Sequence, residues 1–387
     1  MVDLTCEWQS NMKIEPFRLE RFYSRFEFTT QYLLCSSDCE AMHIHDLLSM
    51  EEGAHDKFMK QWLGYTETQG SHKLREEITK LYSSASPAQV LVFSGAEEPI
   101  FLLWHALLEA EDEVIVQFPC YQSAASVPES IGCKVKPWRA RFENGAPFFD
   151  ISELRRLINS KTRAIYINSP HNPTGHHFDE RQYAEIVSLC QSVGAVLISD
   201  EVYRELELDP SSRLPAIVDV YERGVSIGVM SKAYGLAGLR IGWLASKDDT
   251  LLRHCAMLKE YTTICNAAPS EFLAEVALRN RYHLLNRNLE IIRHNIPLLN
   301  DFFHRYQEIF DWHSPSAGSI GFPKWKLQLD GMALAEDIVR KKNVLILPGE
   351  VYDQPGFFRV GFGRRNMPEA LGRFEEYVNE ELISKHR

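Results

Sequence analysis

The amino-acid sequence predicts an α/β fold in which a mostly parallel sheet is covered by helices on both faces. Short apolar runs of the kind found in buried strands occur at residues 114–116, 164–167, 195–198 and 225–229. Segments with the apolar spacing of helices lie between some of these runs, at residues 151–158 and 182–191. Strands that alternate with helices are typical of parallel sheets, and continuous apolar strands are typical of sheets buried on both sides.

A smaller α+β domain is predicted from the change of pattern that begins near Leu285. The expected elements are a long helix over residues 285–307, short strands near 344–347 and 357–360, and a final helix over 368–382. We expect residues 53–284 to form the large domain and residues 285–387 the small domain, which residues 1–52 join as an N-terminal arm. Clefts between domains of this kind are where ligands usually bind.

Composition and charge exclude several classes of protein. The chain has 387 residues, of which 45% are hydrophobic and 25% are charged. These proportions are typical of ordinary globular proteins. Residues 1–31 lack the apolar core of a secretory signal and the acid-poor composition of a transit peptide, so we expect a cytoplasmic protein with no membrane partner. A net charge of −11 disfavours nucleic acid as a partner but leaves room for a local site that binds a small phosphorylated cofactor. The eight cysteines include no CxxC pair, and no metal site is expected.

Two charged residues follow predicted buried strands. Lys232 comes after the apolar run 225–229 and precedes a glycine-containing turn, where desolvation would favour the neutral, nucleophilic amine. The alternative is an exposed lysine in an ordinary loop. Asp200 ends another buried strand about 30 residues earlier, where its carboxylate could pair with a protonated ring nitrogen. The alternative for Asp200 is the N-cap of a helix.

Two turns complete the set of candidate groups. The segment 168–175 carries Asn172 in a turn rich in proline and glycine, which turn chemistry alone would explain. The segment 93–100 reads as a strand, a turn of small residues and a helix start, whose free N–H groups suit a phosphate. Together with the aspartate and the lysine, these turns supply what pyridoxal phosphate requires: a lysine imine, an acid on the pyridine nitrogen and a phosphate cradle.

From about Tyr65 to the C-terminus, this combination of motifs resembles the class I and II aminotransferases, which are fold-type I pyridoxal-phosphate enzymes. The resemblance implies a large domain with a seven-stranded sheet. It also implies that Lys232 forms the Schiff base with the cofactor and moves the substrate proton, and that Asp200 keeps the pyridine nitrogen protonated. Asn172 and Tyr203 would hydrogen-bond the 3′-oxygen of the cofactor, and Tyr121 would stack on its ring.

The resemblance also assigns the phosphate site. The backbone N–H groups of Ala96 and Glu97, together with Ser231 and Arg240, would hold the phosphate. Two departures from the family pattern stand out. Val229 replaces the serine or threonine that often precedes the lysine by three residues, and two acidic residues follow Ala96. We therefore expect only the backbone of Glu97 to face the phosphate.

Substrate and partner residues follow from the same resemblance. Arg359 would bind the substrate α-carboxylate in a bidentate pair, and Asn172 would lie beside it. Tyr65 would reach across a dimer interface to the phosphate of a partner chain, which implies a homodimer with shared active sites. The arm resembles the subgroup that includes capreomycidine synthase and the arginine hydroxylase/deaminase. If the acidic arm closes over the cleft, Glu15 would lie near the substrate. The alternative for the acidic residues Asp38 and Glu40 is that they cap a helix.

Three functions are compatible with these expectations to different degrees. The first is an aminotransferase that moves an amino group between an L-amino acid and a 2-oxo acid through Lys232. The second is oxidation, hydroxylation, cyclisation or elimination of an amino acid on the same cofactor in a specialised biosynthetic pathway, with a basic, arginine-like amino acid as one candidate substrate. The third, a regulator built on this kind of domain, is disfavoured because only about 60 residues precede Tyr65 and none forms a basic recognition helix.

Overall fold

The computed structural model describes residues 13–384. Its α-helices are α1 Arg18–Phe26, α2 Ile44–Leu48, α3 Ala54–Met59, α4 His72–Thr79, α5 Glu97–Leu107, α6 Ser123–Ile131, α7 Ile151–Leu157, α8 Glu180–Val193, α9 Ile217–Val220, α10 Asp249–Lys259, α11 Ala268–Arg279, α12 Arg281–Arg305, α13 Gly331–Lys342 and α14 Met367–Tyr377. Its strands are β1 Tyr32–Leu33, β2 Val90–Phe93, β3 Glu113–Phe118, β4 Lys134–Arg139, β5 Arg141–Glu143, β6 Ala146–Phe148, β7 Thr162–Asn168, β8 Val196–Asp200, β9 Gly224–Val229, β10 Gly242–Ser246, β11 Phe310–Asp311, β12 Ile320–Gly321, β13 Lys324–Trp325, β14 Val344–Leu345, β15 Leu347–Pro348 and β16 Phe358–Gly361.

A seven-stranded sheet forms the centre of the fold. Its strand order is β2-β10-β9-β8-β7-β3-β4, and every neighbouring pair is parallel except the two pairs that β10 makes. The four strands predicted from apolar runs are β3, β7, β8 and β9, which lie side by side in its middle. The predicted mostly parallel sheet is therefore confirmed.

Apolar side chains of the central strands alternate between two cores. On β7, Ile165 and Ile167 belong to one cluster of buried residues, whereas Ala164 and Tyr166 belong to the other. Since successive side chains of a strand point to opposite faces, a strand packed on both faces is apolar at consecutive positions along most of its length. This packing explains the continuous apolar runs of the sequence.

The register of the sheet brings two predicted site segments together. Asn168 pairs with Asp200 where β7 and β8 end, and β9 ends at Val229, three residues before Lys232. The carboxyl ends of neighbouring parallel strands therefore meet at one edge of the sheet, which is where open α/β sheets bind ligands.

The C-terminal part of the chain is built around the long helix α12, which begins at Arg281 rather than at residue 285 as predicted. Its first turn is polar and so gave no apolar signal. The last predicted helix stops at Tyr377 and continues as a π-helical turn, Val378–Ile383. Strand β1 pairs in parallel with β14. The domain boundaries remain predictions, and residues 1–12 and 385–387 of the predicted units lie outside the described residues.

Between residues 13 and 384, no helix is both long and apolar enough to cross a lipid bilayer. The same part of the chain holds no group of three or more histidine, cysteine or acidic side chains placed to bind a metal ion. Its seven cysteines, all but Cys265 buried, are free thiols, whereas Cys6 lies outside the described residues.

Burial of Glu201 makes stability depend on pH. Desolvation raises the pKa of this carboxyl from 4.5 to about 7, and its Oε1 accepts hydrogen bonds from the Ile217 N–H (2.8 Å) and the Ser226 hydroxyl (3.1 Å). The folded state holds this proton more tightly than the unfolded state, so the carboxyl costs stability as the pH rises from 4.5 through 7. A glutamine amide oxygen can accept the same hydrogen bonds without ionising.

We therefore expect Glu201→Gln to gain about 2–3 kcal/mol of unfolding free energy relative to wild type between pH 5 and pH 8. Urea unfolding at the two pH values measures this difference. Glu52→Gln, which changes an exposed acid, is the control and should show no such trend. A difference between Glu201→Gln and wild type that does not change with pH would contradict the prediction.

Candidate functional site

A cavity of about 410 Å³ lies at the carboxyl ends of β3, β7, β8 and β9. Helix α1 and residues 36–38 of the arm form its other wall. The cavity brings together ten residues predicted from the sequence, namely Ala96, Glu97, Tyr121, Asn172, Asp200, Tyr203, Ser231, Lys232, Arg240 and Arg359. Residues up to 263 positions apart in the sequence therefore share one site, as a shared function would require.

Lys232 faces the cavity from the loop that follows β9. Its backbone carbonyl accepts hydrogen bonds from the N–H groups of Gly235 (3.1 Å) and Cys39 (3.4 Å), which fix the loop. Its Nζ donates to the Ser37 hydroxyl at 2.9 Å. Burial lowers the pKa of Lys232, so the nucleophilic neutral amine forms more readily than on an exposed lysine.

Asp200 is the last residue of β8 and is 8% exposed. Its Oδ2 accepts a hydrogen bond from the Tyr166 hydroxyl (2.9 Å), and its Oδ1 accepts one from the Val202 N–H (3.2 Å). Burial raises the pKa of Asp200 to about 6, and these two hydrogen bonds oppose the shift. No α-helix begins after β8 until Ile217, so Asp200 is not a helix N-cap. A cationic group opposite this carboxylate would favour its ionised form.

Arg359 on β16 is 2% exposed, so it is not an arginine that faces solvent from a short strand. Its Nη1 donates to Asn172 Oδ1 (3.0 Å) and to the Tyr352 hydroxyl (2.5 Å), and its Nε donates to the Cys35 carbonyl (3.1 Å). Its Nη2 donates to the Tyr23 hydroxyl at 2.6 Å. These neutral partners orient the guanidinium without neutralising it, so the arginine keeps its charge for an anionic ligand.

The turn before α5 and the loop after Lys232 meet at the other end of the cavity. Gly95 has a φ of +77°, and a Cβ at this position would overlap the guanidinium of Arg240. Glycine therefore lets Arg240 lie against the turn. The first N–H groups of a helix have no partner within the helix, and Ala96 and Glu97, where α5 begins, line the cavity beside Ser231 and Arg240. This arrangement suits a phosphate.

The two acids of this turn are held by neighbouring donors. Glu98 Oε2 accepts a hydrogen bond from the Ser94 N–H at 2.7 Å, and its Oε1 accepts one from Thr263 at 2.9 Å. Glu97 Oε2 accepts one from the Ser123 hydroxyl at 3.0 Å, and burial raises the pKa of Glu97 to about 7. Protonation of Glu97 near neutral pH reduces its repulsion of a phosphate.

Pyridoxal phosphate, the cofactor implied by the resemblance, fits these residues. The amine of Lys232 can react with its aldehyde, and the buried carboxyl of Asp200 can pair with its ring nitrogen. Arg240 and the turn beside it can bind its phosphate. The Tyr203 hydroxyl is buried and has no hydrogen-bond partner of normal geometry in the described part of the chain. An acceptor or donor on a bound ring would satisfy it, since buried hydroxyls are seldom left without a partner.

Helix α1 adds residues that the sequence predictions missed. Glu20 and Tyr23 share one face of α1, and Glu27, the residue that caps its C-terminal end, continues that face four positions later; all three line the cavity. Glu20 Oε1 accepts a hydrogen bond from the Tyr121 hydroxyl at 2.7 Å. This spacing was visible in the sequence, but nothing there showed that the helix covers the site.

Two predicted residues lie outside the cavity. Tyr65 is 87% exposed, as a residue that contacts another chain would be. Glu15 lines a neighbouring groove with Arg18 and Asp353 rather than the cavity that holds Lys232. The arm does close over the site, as expected, but it does so with residues 19–38, which lie further along the chain than Glu15.

The acidic residues Asp38 and Glu40 cap no helix. Asp38 makes a bidentate ion pair with Arg364, with distances of 3.0 and 2.9 Å from Nη2 to its two oxygens. Glu40 Oε2 accepts a hydrogen bond from the Arg365 N–H at 2.9 Å. Both side chains therefore attach the arm to the turn that follows β16.

Comparisons with known proteins agree with this geometry. The sequence model of the family "Aminotransferase class I and II" matches residues 29–374. A capreomycidine synthase from Streptomyces vinaceus is 31% identical over 321 residues, which are 82% of each chain. The crystal structure of a PLP-dependent aminotransferase from Streptococcus suis superposes with a TM-score of 0.89 at 28% identity and covers 95% of this chain and 98% of that one. The PLP-dependent cyclase OrfR gives a TM-score of 0.88 at 25% identity, with 96% and 99% covered.

Proposed function

Since this chain belongs to the class I and II aminotransferases, it is a pyridoxal-phosphate-dependent transferase of fold-type I, and we propose that it moves the amino group of an L-amino acid to a 2-oxo acid. Family membership confirms the resemblance drawn from the motifs. The observation that carries the proposal is that Lys232, Asp200 and Arg359 face one cavity. An amine, an acid and a carboxylate receptor are the groups that amino-group transfer requires of the protein.

Each residue has a proposed role in this reaction. Bound pyridoxal phosphate would act as an electron sink for the carbanion that forms at the substrate Cα. Lys232 would bind the cofactor and, when its amine is free, take the proton from the substrate Cα. Asp200 would hold a positive charge at the ring nitrogen, and Asn172 and Tyr203 would donate to the ring oxygen. Tyr121 would lie against the ring face.

The cofactor phosphate and the substrate α-carboxylate would bind at opposite ends of the cavity. Ser231, Arg240 and the N–H groups of Ala96 and Glu97 would hold the phosphate at one end. Arg359 would orient the substrate α-carboxylate at the other. With both anions fixed, the Cα–H bond has a limited range of directions, which favours transfer of its proton to Lys232.

A homodimer with shared sites is part of the proposal. Trp62, Leu63 and Tyr65 are 83%, 78% and 87% exposed, and large apolar side chains grouped in this way are typical of interfaces. We propose that Tyr65 of one chain reaches the phosphate of its partner, where its hydroxyl would donate to a phosphate oxygen. A second copy would then complete the cradle formed by Arg240.

A half-reaction tests the main proposal. When an amino acid is mixed with the cofactor-loaded enzyme without any 2-oxo acid, we expect the absorption spectrum to convert once to that of the aminated cofactor, and a 2-oxo acid to appear in equal amount. A screen of the common L-amino acids covers the unidentified substrate. No conversion with any of them would contradict amino-group transfer.

A second candidate is oxidation, hydroxylation, cyclisation or elimination of a basic amino acid, which shares removal of the Cα proton with the first. The observation that favours a basic substrate is the acidic face of α1. Glu20 and Glu27 face the cavity, and within residues 13–384 neither carboxylate has an ion-pair partner. Burial and the like charges of Glu20 and Asp38 raise the pKa of Glu27, so a cationic side chain between these groups would relieve the repulsion.

Oxygen uptake detects the oxidative versions of the second candidate. Arginine offered without a 2-oxo acid should consume oxygen only if the enzyme oxidises it. Product analysis then distinguishes the remaining reactions. Cyclisation leaves a rearranged amino acid, and elimination releases a side-chain group, ammonium and a 2-oxo acid over many turnovers, whereas transfer without an added 2-oxo acid stops after one turnover and releases no ammonium.

We expect Glu20→Gln and Glu27→Gln each to lower kcat/KM for arginine about tenfold, because one charge-assisted contact to a cationic side chain is lost. The value for a neutral amino acid of similar length, such as norleucine, should change less than twofold. Steady-state kinetics with both substrates measures this selectivity. Glu52→Gln, which removes the same charge from an exposed part of the arm, is the control. Equal losses for both substrates would exclude a role in side-chain recognition.

A further inference from the structure

Ser37 contacts the amine at the centre of the site. Its Oγ accepts the hydrogen bond from Lys232 Nζ at 2.9 Å, and no other hydrogen bond of this amine is found within residues 13–384. The two residues are 195 positions apart in the sequence. The free amine is the form in which Lys232 would take the proton from a substrate.

The backbone around Ser37 is held from several sides. The Ser37 carbonyl accepts a hydrogen bond from the Ser319 hydroxyl at 2.8 Å. On one side of it, the Cys35 carbonyl accepts from Arg359 Nε, and on the other the Cys39 N–H donates to the Lys232 carbonyl. Ser37 is thus fixed relative both to the lysine loop and to the proposed carboxylate receptor.

The surroundings of Ser37 offer it few other partners. It lies close enough to Tyr203 to lower the pKa of that hydroxyl, although the two hydroxyls make no hydrogen bond of normal geometry. Asp38, the next residue, is engaged by Arg364. The serine hydroxyl is therefore available to the lysine amine.

A hydrogen bond of this kind limits the directions open to the amine. A neutral amine has two N–H groups and one lone pair, and an unattached lysine side chain samples many rotamers. When one N–H is directed at a fixed acceptor, the lone pair is confined to a narrow set of directions. A base held in this way reaches the substrate Cα in the productive geometry more often.

We propose that Ser37 is a positioning residue for Lys232, which holds the free lysine amine by accepting a hydrogen bond and directs its lone pair into the cavity. This inference rests on the proposed function, because it assumes that Lys232 takes the Cα proton. The step itself is a simple proton transfer: the Cα–H bond breaks, the proton bonds to Nζ, and the serine remains an acceptor throughout.

The first test measures proton transfer. We expect Ser37→Ala to slow the loss of deuterium from Cα-deuterated L-arginine or L-alanine about tenfold, which is the order expected for one hydrogen bond to an amine, while KM changes less than twofold. Ser37→Thr keeps the hydroxyl and should recover most of the rate. Ser49→Ala makes the same chemical change at an exposed serine of the arm that does not line the cavity, and it should leave the rate near that of wild type.

The second test needs no turnover. The rate at which the cofactor-free protein captures pyridoxal phosphate, followed by absorbance against pH, reports ionisation of the Lys232 amine. We expect its midpoint to fall by about half a pH unit in Ser37→Ala, because a hydroxyl accepts more strongly from an ammonium than from a neutral amine. Ser37→Thr should retain the wild-type midpoint.

The outcomes separate two kinds of failure. Wild-type exchange and capture profiles in a folded Ser37→Ala protein would overturn the role of Ser37 alone. Absence of Cα exchange in wild type would overturn the proposed function, and the capture profile would still test the contact. If Ser37→Ala does not fold, Ser37→Cys replaces it: a thiol is a weaker acceptor, so an exchange rate equal to that of wild type would equally overturn the proposal.

Discussion

Lys232→Ala is expected to lower the rate of amino-group transfer about 10⁴-fold, and to abolish the absorption band that depends on covalent attachment of pyridoxal phosphate to lysine. The variant loses both the residue proposed to bind the cofactor and the base proposed to take the Cα proton, and a positioned base alone contributes up to about 10⁴-fold. Absorption spectra of the protein with added cofactor, together with single-turnover kinetics, measure the two effects.

The matched control is Lys259→Met. Lys259 is also buried and also has a pKa lowered by burial, but its Nζ donates to the Thr68 carbonyl at 2.8 Å and does not line the cavity. The control variant should keep the band and the rate. A lysine-dependent band that survives in Lys232→Ala, or is lost in Lys259→Met with the fold intact, would refute the assignment.

Asp200→Asn is expected to slow the reaction about 10²–10³-fold while the protein still binds pyridoxal phosphate. A neutral amide of the same size can no longer stabilise a positive charge opposite it, and loss of one preorganised electrostatic partner typically costs this much. The rate of Cα deuterium loss, measured with saturating cofactor, reports the effect directly.

Tyr166→Phe tests how much of this effect depends on the environment of the carboxylate. The Tyr166 hydroxyl donates to Asp200 Oδ2, so its removal leaves the carboxylate charged but less well stabilised. We expect the reaction rate to fall about tenfold, a smaller decrease than in Asp200→Asn. If Asp200→Asn lowered the reaction rate less than Tyr166→Phe, the result would contradict a role for the charge of Asp200 in the reaction.

The central sheet and the groups at its edge could be predicted from the sequence because they depend on short, continuous stretches of the chain. Lys232 and Asp200 end or follow buried strands, and parallel strands must bring their carboxyl ends together. Strand β8 runs two residues further than its apolar run, through Ser199 and Asp200, because the hydrogen bonds of a strand do not require apolar side chains. The resemblance to a family supplied Arg359, whose local sequence would equally suit a surface strand.

The arm could not be predicted in the same way. Glu20, Glu27 and Ser37 acquire their positions only when α1 folds across a cavity built from residues more than 50 positions away. No periodicity encodes which face of the sheet a distant helix will cover. Glu15 was chosen from its charge and its place in the arm, and packing of Arg18 against Asp353 carries that stretch to the neighbouring groove.

Pairing of β1 with β14 and the attachments of residues 35–40 make the N-terminal stretch a wall of the reaction chamber rather than a tail. Every acidic group that faces the substrate end from this wall belongs to one continuous segment of about 20 residues. The groups that fit the cofactor lie elsewhere in the chain. Replacement of this segment by that of a relative, with Ser37 retained beside Lys232, should therefore exchange substrate preference as a module and leave the reaction on pyridoxal phosphate intact.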